Sequence, residues 1–210
     1  VALEPVITEN REAGVTWSGT QGSFTASAYD SRSELGTQVI VTNGIGRPTR
    51  APIRVKGVEF AGEWRPHEAW TLNATYATTR GRTATEQGMP IYLGARSQGP
   101  DKLVGAAQWQ VTPALRLRLQ GEHYRSRHVN QGVRQGTTGP LIEEHFDGYT
   151  LADFGATWAT RFGDFGLGID NLFDRQYVGY YSQANYSGND RDYFAGQGRT
   201  YTLSWRRTFD

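Results

Sequence analysis

Hydrophobic and polar residues alternate one by one along much of this chain, most sharply between Ala114 and Arg125. There Leu115, Leu117 and Leu119 interleave with Arg116, Arg118 and Gln120. A period of two sends successive side chains to opposite faces of an extended strand, whereas a helix would scatter those arginines around its circumference. The pattern recurs. Ala13, Val15 and Trp17 define a strand over 11–18, and Phe24, Ala26 and Ala28 one over 23–33. Val58, Phe60 and Trp64 mark 53–65, Trp70, Leu72 and Tyr76 mark 70–80, and Leu103, Ala107 and Trp109 mark 102–111. Phe154, Ala156 and Trp158 follow over 149–162, and Phe165, Leu167 and Ile169 open a strand reaching about 181. The last segment sets Tyr201, Leu203, Trp205 and Phe209 against Thr202, Ser204, Arg206 and Thr208. Nine strands are predicted.

The connections between them sort by length. Residues 19–22, 65–69, 111–114 and 163–164 read as short turns, and 34–52, 81–101, 126–148 and 182–197 as long polar connections rich in Gly, Arg, Asn and Gln. Short and long alternate strictly, so an antiparallel meander would collect its short turns at one end and its long loops at the other. Transmembrane β-barrels have this asymmetry, and a soluble sandwich has no reason for it. The predicted fold class is all-β, an antiparallel up-and-down transmembrane β-barrel. Leu115, Leu117, Leu119, Phe165, Leu167, Ile169, Leu203 and Trp205 should face lipid; Arg116, Arg118, Ser204 and Arg206 should face the lumen.

Composition changes this picture little. A mean hydropathy of −0.59 suits a soluble domain, but barrel strands need only alternate apolar residues. No run approaches the roughly 18 apolar residues of a membrane helix. The formal charge of +1 offers no bulk attraction for nucleic acid, and none is expected as a partner. Only Lys56 and Lys102 are lysine, so the positive charge is nearly all guanidinium, which suits bidentate contacts to anions. Absence of cysteine excludes disulfides and thiolate metal sites. No Ser-His-Asp spacing, nucleophile elbow or phosphate loop is present, and Gly44-Ile-Gly46 leads into Arg-Pro instead of a helix. No enzyme is expected. His145 stands among Glu143, Glu144 and Asp147, a spacing that matches no standard ligand pattern and reads as a solvated loop end, so no metal site is predicted.

Asn171-Leu-Phe-Asp174, Gly196-Gln-Gly-Arg-Thr200, Arg54-Val-Lys-Gly-Val-Glu59, Pro100-Asp-Lys-Leu103, Glu9-Asn-Arg-Glu-Ala-Gly14 and the aromatic-rich final strand together resemble the C-terminal end of a TonB-dependent outer-membrane receptor. That family imports ferric siderophores and similar scarce ligands. The resemblance implies that residues 1–210 are the C-terminal portion of the barrel domain, about nine strands of a 22-stranded barrel, with the plug domain, TonB box and N-terminal strands lying outside this chain. Asp210 departs from it, following the aromatic that usually ends such chains.

By the same resemblance the function is TonB-dependent active import of a ferric siderophore across the cell outer membrane of a Gram-negative bacterium. The alternatives are a passive porin-type channel or a structural outer-membrane barrel. Partners would be the ferric siderophore as transported ligand, outer-membrane lipid and lipopolysaccharide, and the TonB complex through the N-terminal region; no covalently bound cofactor is implied. Cationic and aromatic loop residues suit an oxygen-rich iron chelate. Arg127, where the alternating Leu-Arg strand emerges, is the first candidate for ligand binding, followed by Arg47, Arg96, Tyr180 and Tyr181.

Overall fold

The computed structural model describes residues 5–42, 45–84, 90–94, 98–134, 141–184 and 194–208. Its elements are β1 (Thr8–Gly19), β2 (Gly22–Thr42), β3 (Ile45–His67), β4 (Trp70–Ala84), β5 (Pro90–Tyr92), β6 (Lys102–Thr112), β7 (Leu115–Tyr124), β8 (Arg127–Arg134), β9 (Leu141–Phe146), β10 (Tyr149–Thr160), β11 (Gly163–Asp170), helix α1 (Tyr180–Ala184) and β12 (Thr200–Arg206). Nine of the strands form one antiparallel path, β1-β2-β3-β4-β6-β7-β10-β11-β12. These are the nine expected segments in the expected order. The path runs from β1 to β12 without closing on itself.

Five details differ from expectation, one in the place of the last short turn and four at the long-loop end. The segment 34–52 is extended hairpin: after a bulge between Ser33 and Gly36, β2 and β3 stay paired from Gly36↔Ala51 to Thr42↔Ile45. β5 adds a short strand to β4. Within 126–148, β8 and β9 pair as a separate hairpin, so the solvated loop end expected at His145 is strand, with His145 opposite His128. The strand expected from 165 to about 181 stops at Asp170. It stops because Asn171 and Asp174 take positive φ (50° and 52°), a conformation that Asn and Asp tolerate and that ends a ladder.

That turn is locked from several sides. Asn171 is buried; its amide donates to the carbonyls of Arg175 (2.9 Å) and Gln197 (3.2 Å) and its Oδ1 accepts from Arg175 N–H (2.8 Å). The Asn171 N–H donates to Asp153 Oδ1 (2.9 Å), and Arg199 N–H to Asp174 Oδ1 (2.9 Å). The Asn-Leu-Phe-Asp motif is therefore a clasp holding the tops of β10 and β11 against the chain entering β12. Its role is architectural.

Cross-strand register carries one apolar face over the whole sheet. Ala107, Leu119, Phe154, Ile169 and Tyr201 stand opposite one another in turn, as do Trp109, Leu117, Ala156, Leu167 and Leu203. On β1 to β4 the same face continues through Val15, Ala26, Phe60 and Tyr76. Arg116, Arg118, Ser204 and Arg206 lie on the other face, as expected. All six tryptophans (Trp17, Trp64, Trp70, Trp109, Trp158 and Trp205) fall on the apolar face near the short turns, and all are exposed. Trp70 and Trp109 stack at 5.2 Å. An outward girdle of indoles marks a membrane interface.

The short turns sit side by side at that end. Arg65 N–H donates to Gln21 O (2.6 Å), Gln110 N–H to Ala69 O (2.8 Å) and Ala159 N–H to Ala114 O (2.8 Å). The third turn is closed by Thr112 Oγ1, which accepts from the N–H groups of Ala114 and Leu115. The last lies at Arg161-Phe162, two residues before its expected place. Gly163 follows at φ 124°, where a Cβ would sit 2.5 Å from Arg206 O. Trp205 Nε1 donates to Phe162 O (3.1 Å), tying the final strand to this turn.

At the opposite end Asp101, which is buried, gathers the connection before β6. Arg80 donates to both its oxygens (2.5 and 2.8 Å) and Thr78 Oγ1 to Oδ1 (2.7 Å), while Arg125 approaches at 3.9 Å. The Arg80 guanidinium holds the Asp101 carboxyl below the usual carboxylate range, helped by the Thr78 hydroxyl and the Arg125 charge.

Two outcomes follow for the protein folded in its membrane. Leu117→Arg, near the middle of the apolar face, should cost about 2–4 kcal/mol in unfolding free energy, and Arg118→Gln much less; equal costs in urea titrations would mean the faces are reversed. Asp101→Asn should cost about 1–3 kcal/mol at neutral pH. A carboxyl with a depressed folded pKa stabilises above its unfolded value of about 3.9, and that stabilisation is lost as pH falls through the folded value. The gap between wild type and Asp101→Asn should therefore narrow in acid, and a gap constant from pH 7 to pH 3 would remove the electrostatic explanation.

Candidate functional site

The long-loop end holds the chemistry because the sheet's lower part is occupied by its own turns. On the face opposite the apolar band, Lys102, Tyr124 and Tyr149 stand in one register row. Tyr149 packs on Tyr124 (4.6 Å between centroids) and on Tyr177 (4.5 Å), and Phe146 meets Tyr149 edge-on at 6.1 Å. Phe146, Tyr149 and Leu151 are buried, an unusual condition in a sheet with most other side chains open. Lys102 Nζ lies 4.6 Å over the Tyr124 ring and 3.1 Å from Glu122 Oε2. The result is a small aromatic floor with one cation set into it.

Helix α1 lies beside this floor. Gln183 fixes it, donating to Asp147 O (3.1 Å) and Val178 O (2.8 Å) while Asp147 N–H donates to its Oε1 (2.9 Å). Tyr180 then packs edge-on against Phe146 at 5.1 Å. Its hydroxyl donates to the Gln98 carbonyl, which also accepts from Arg127 Nη1 at 3.4 Å; Arg127 Nη1 donates to Gly99 O at 3.0 Å as well. Gln98 is buried, and its side chain is anchored to β4, with Oε1 accepting from Gly81 N–H and Nε2 donating to Thr79 O (2.8 Å).

Of the five residues predicted to contact ligand, the structure brings three together. Arg127 from β8 and Tyr180 from α1 converge on Gln98, and Tyr181 stands next to Tyr180 (5.8 Å between rings), largely exposed. Arg47 lies on β3 opposite Ile40, away from the other three in register, and its side chain is outside the described residues. Arg96 is outside them altogether.

Gln98 and Asp101 escaped sequence reading. Each sits in a connection with no periodicity, and nothing in a lone Gln or Asp announces burial. Among the described residues no group of three or more His, Cys, Asp or Glu could hold a metal ion. The nearest approach is His128 Nδ1, 3.4 Å from His145 Nδ1, with His145 Nε2 2.7 Å from Asp147 Oδ1. A groove of about 300 Å³ opens between Arg80, Tyr92, Asp101, Arg125, Arg127 and His128. Its three guanidinium groups, Arg80, Arg125 and Arg127, outnumber the single Asp101 carboxylate, so an anionic or oxygen-rich group fits it better than a cation.

Solved proteins share this architecture. A family model described as TonB dependent receptor-like, beta-barrel, matches residues 1–172. The copper transporter OprC superposes with a TM-score of 0.73 at 17% identity, covering 95% of this chain and 31% of its own. The FrpB iron transporter from Neisseria meningitidis (F3-3 variant) gives 0.72 at 14%, covering 93% and 30%. The ferripyoverdine receptor of the Pseudomonas aeruginosa outer membrane, bound to ferripyoverdine, gives 0.69 at 15%, covering 96% and 27%. The chain thus spans about a third of the length of these structures. An open antiparallel wall with an apolar belt, a tryptophan girdle and long loops at one end has the shape this family closes into a barrel, and the chain belongs to the β-barrel domain of the TonB-dependent receptors, which reside in the Gram-negative outer membrane and are not enzymes.

Proposed function

We propose that the complete receptor containing this wall imports a ferric siderophore by TonB-coupled active transport, residues 1–210 forming the C-terminal portion of its barrel, separate from the plug and earlier strands. The observation that carries this reading is the convergence at Gln98: a guanidinium and a phenol from two different long connections are held at one point above an aromatic floor. Charge-assisted donors beside aromatic faces suit the oxygen-rich surface of a ferric chelate. The similar structures named as an iron transporter and a receptor holding ferripyoverdine support the same class of cargo. A copper transporter stands among them, so the metal's chemistry is part of the proposal. Lipopolysaccharide and lipid surround the wall, and the TonB complex acts through the N-terminal region. A passive channel would need none of the energy coupling.

The test is ferric-chelate binding and uptake by the complete receptor. Losing one charge-assisted contact costs about 1.5–3 kcal/mol, or roughly ten- to a hundredfold in affinity. Arg127→Ala should fall in that range and Tyr181→Ala, at an exposed position, should weaken binding by a smaller factor without affecting folding. Arg118→Ala, on the lumen-facing barrel wall, serves as control. Unchanged affinity in Arg127→Ala, in Tyr181→Ala and on removal of residues 127–145 would assign ligand capture to other loops or the plug. Uptake persisting in cells without the TonB complex would favour the passive channel.

A further inference from the structure

The outward face is apolar only up to a definite row. On β1 to β4 the row Ala13, Ala28, Val58 and Thr78 is followed, two residues toward the long loops, by Arg11, Asp30, Lys56 and Arg80. The next row is Glu9, Arg32, Arg54 and Arg82, with Tyr92 of β5 beside Arg82. These two rows hold six cations and two carboxylates, on the same face as the lipid-facing Val15, Ala26 and Phe60. Asp101 supplies a third carboxylate by pairing with Arg80.

Three of the cations share one counter-ion. Arg54, Arg32 and Lys56 lie 2.5, 3.0 and 3.8 Å from Asp30 Oδ2, so a single negative charge draws three positive ones together and leaves them two in excess. Their side chains stay about half exposed (49%, 41% and 55% for Arg32, Arg54 and Lys56). Arg82 lies over the Tyr92 ring at 5.0 Å and donates to its hydroxyl at 3.2 Å. A groove of about 630 Å³ opens beside Arg32, Arg54 and Arg82.

Height places this cluster. Arg80 lies ten residues along β4 from Trp70, and Lys56 eight along β3 from Trp64. At about 3.3 Å per residue and a tilt near 45°, these separations are about 23 and 19 Å along the membrane normal. The apolar band of such a barrel is about 25 Å tall. With the tryptophans at one interface, the cations stand at the other, level with lipid headgroups. The two rims of the wall differ in kind: indoles near the short turns, guanidinium groups and an ammonium near the long loops.

We infer that Arg32, Arg54 and Lys56, flanked by Arg80 and Arg82, form a binding site on the outside of the wall for the phosphate groups of the glycolipid in the outer leaflet. The inference rests on the outer-membrane orientation, with the long loops outermost, and is independent of the cargo. Guanidinium forks donate to phosphate oxygens two at a time, and the acyl chains below would lie along Ala28, Val58 and Phe60. Asp30 holds the cluster together when no phosphate is present.

The experiment measures lipopolysaccharide retained per receptor after purification of the complete protein, together with its affinity for bisphosphorylated and dephosphorylated lipid A. In Arg32→Gln/Arg54→Gln/Lys56→Gln, retention and affinity for the bisphosphorylated form should drop about tenfold or more, while wild type should bind the dephosphorylated form about as weakly as the variant does. Arg116→Gln/Arg118→Gln, which removes charge from the inner face, should retain lipopolysaccharide like wild type. Inorganic phosphate should fail to compete at millimolar levels; competition would indicate a free-phosphate site and overturn the lipid assignment. Lys56→Gln alone removes the longest of the three ion pairs and should lower retention several-fold even where the triple variant does not fold. Ferric-chelate binding should be unchanged in Lys56→Gln and in the triple variant wherever it folds, which separates failure of this site from failure of the transport reading. Equal retention in Lys56→Gln and wild type, or equal affinity for both lipid A forms, would overturn the proposal.

Discussion

Every peptide N–H and C=O that this wall carries through lipid must find its partner inside the wall, because hydrocarbon offers none. The antiparallel ladder is the response to that constraint, and its register decides everything above it. A slip of one residue between β7 and β10 would turn Arg116 and Arg118 into the bilayer and Leu117 into the lumen. Leu117 stands opposite Ala156 and Trp109, with Leu167 and Leu203 beyond them. Within such a ladder the apolar band, the indole girdle and the charged rim are three consequences of one alignment.

The membrane part of the fold was legible because it obeys this constraint so directly. Lipid on one side and water on the other enforce period two, and Leu115 to Gln120 shows it without exception. Legibility ended where the constraint ends. Beyond Ser33 the hairpin of β2 and β3 stands clear of the apolar rows, and the bulge before Gly36 adds a residue that shifts the phase of alternation. Polar, glycine- and arginine-containing sequence in that stretch reads as loop even though its backbone is paired. The opposite error occurred after Ile169, where apolar and aromatic residues continue but Asn171 turns the chain.

The ligand-facing end was legible in kind more than in arrangement. Arg127, Tyr180 and Tyr181 were identifiable as residue types at loop bases, and the structure places them together. What brings them together is Gln98, a residue with no sequence signal, fixed to the backbone of β4 through both its amide atoms. The charged rows of the outer face had a signal of a different sort. The alternation Phe60, Val58, Lys56, Arg54 keeps its period while its chemistry changes, as does Tyr76, Thr78, Arg80, Arg82. Periodicity located the strands, and the change of residue class along an unbroken period located the edge of the bilayer.

The tryptophan girdle has a mechanical corollary. Six indoles on one interface hold that rim of the wall at a fixed depth, and the hydrogen-bonded ladder above them cannot stretch. When bilayer thickness changes, the adjustment has to occur at the other rim, where the residues are arginines and a lysine on long flexible stems. Those stems let the cationic heads rise or settle by a few ångströms while their methylene chains keep covering apolar surface. The wall is thus moored on one side and sprung on the other, and a membrane that thins or thickens meets compliance only along its outward edge.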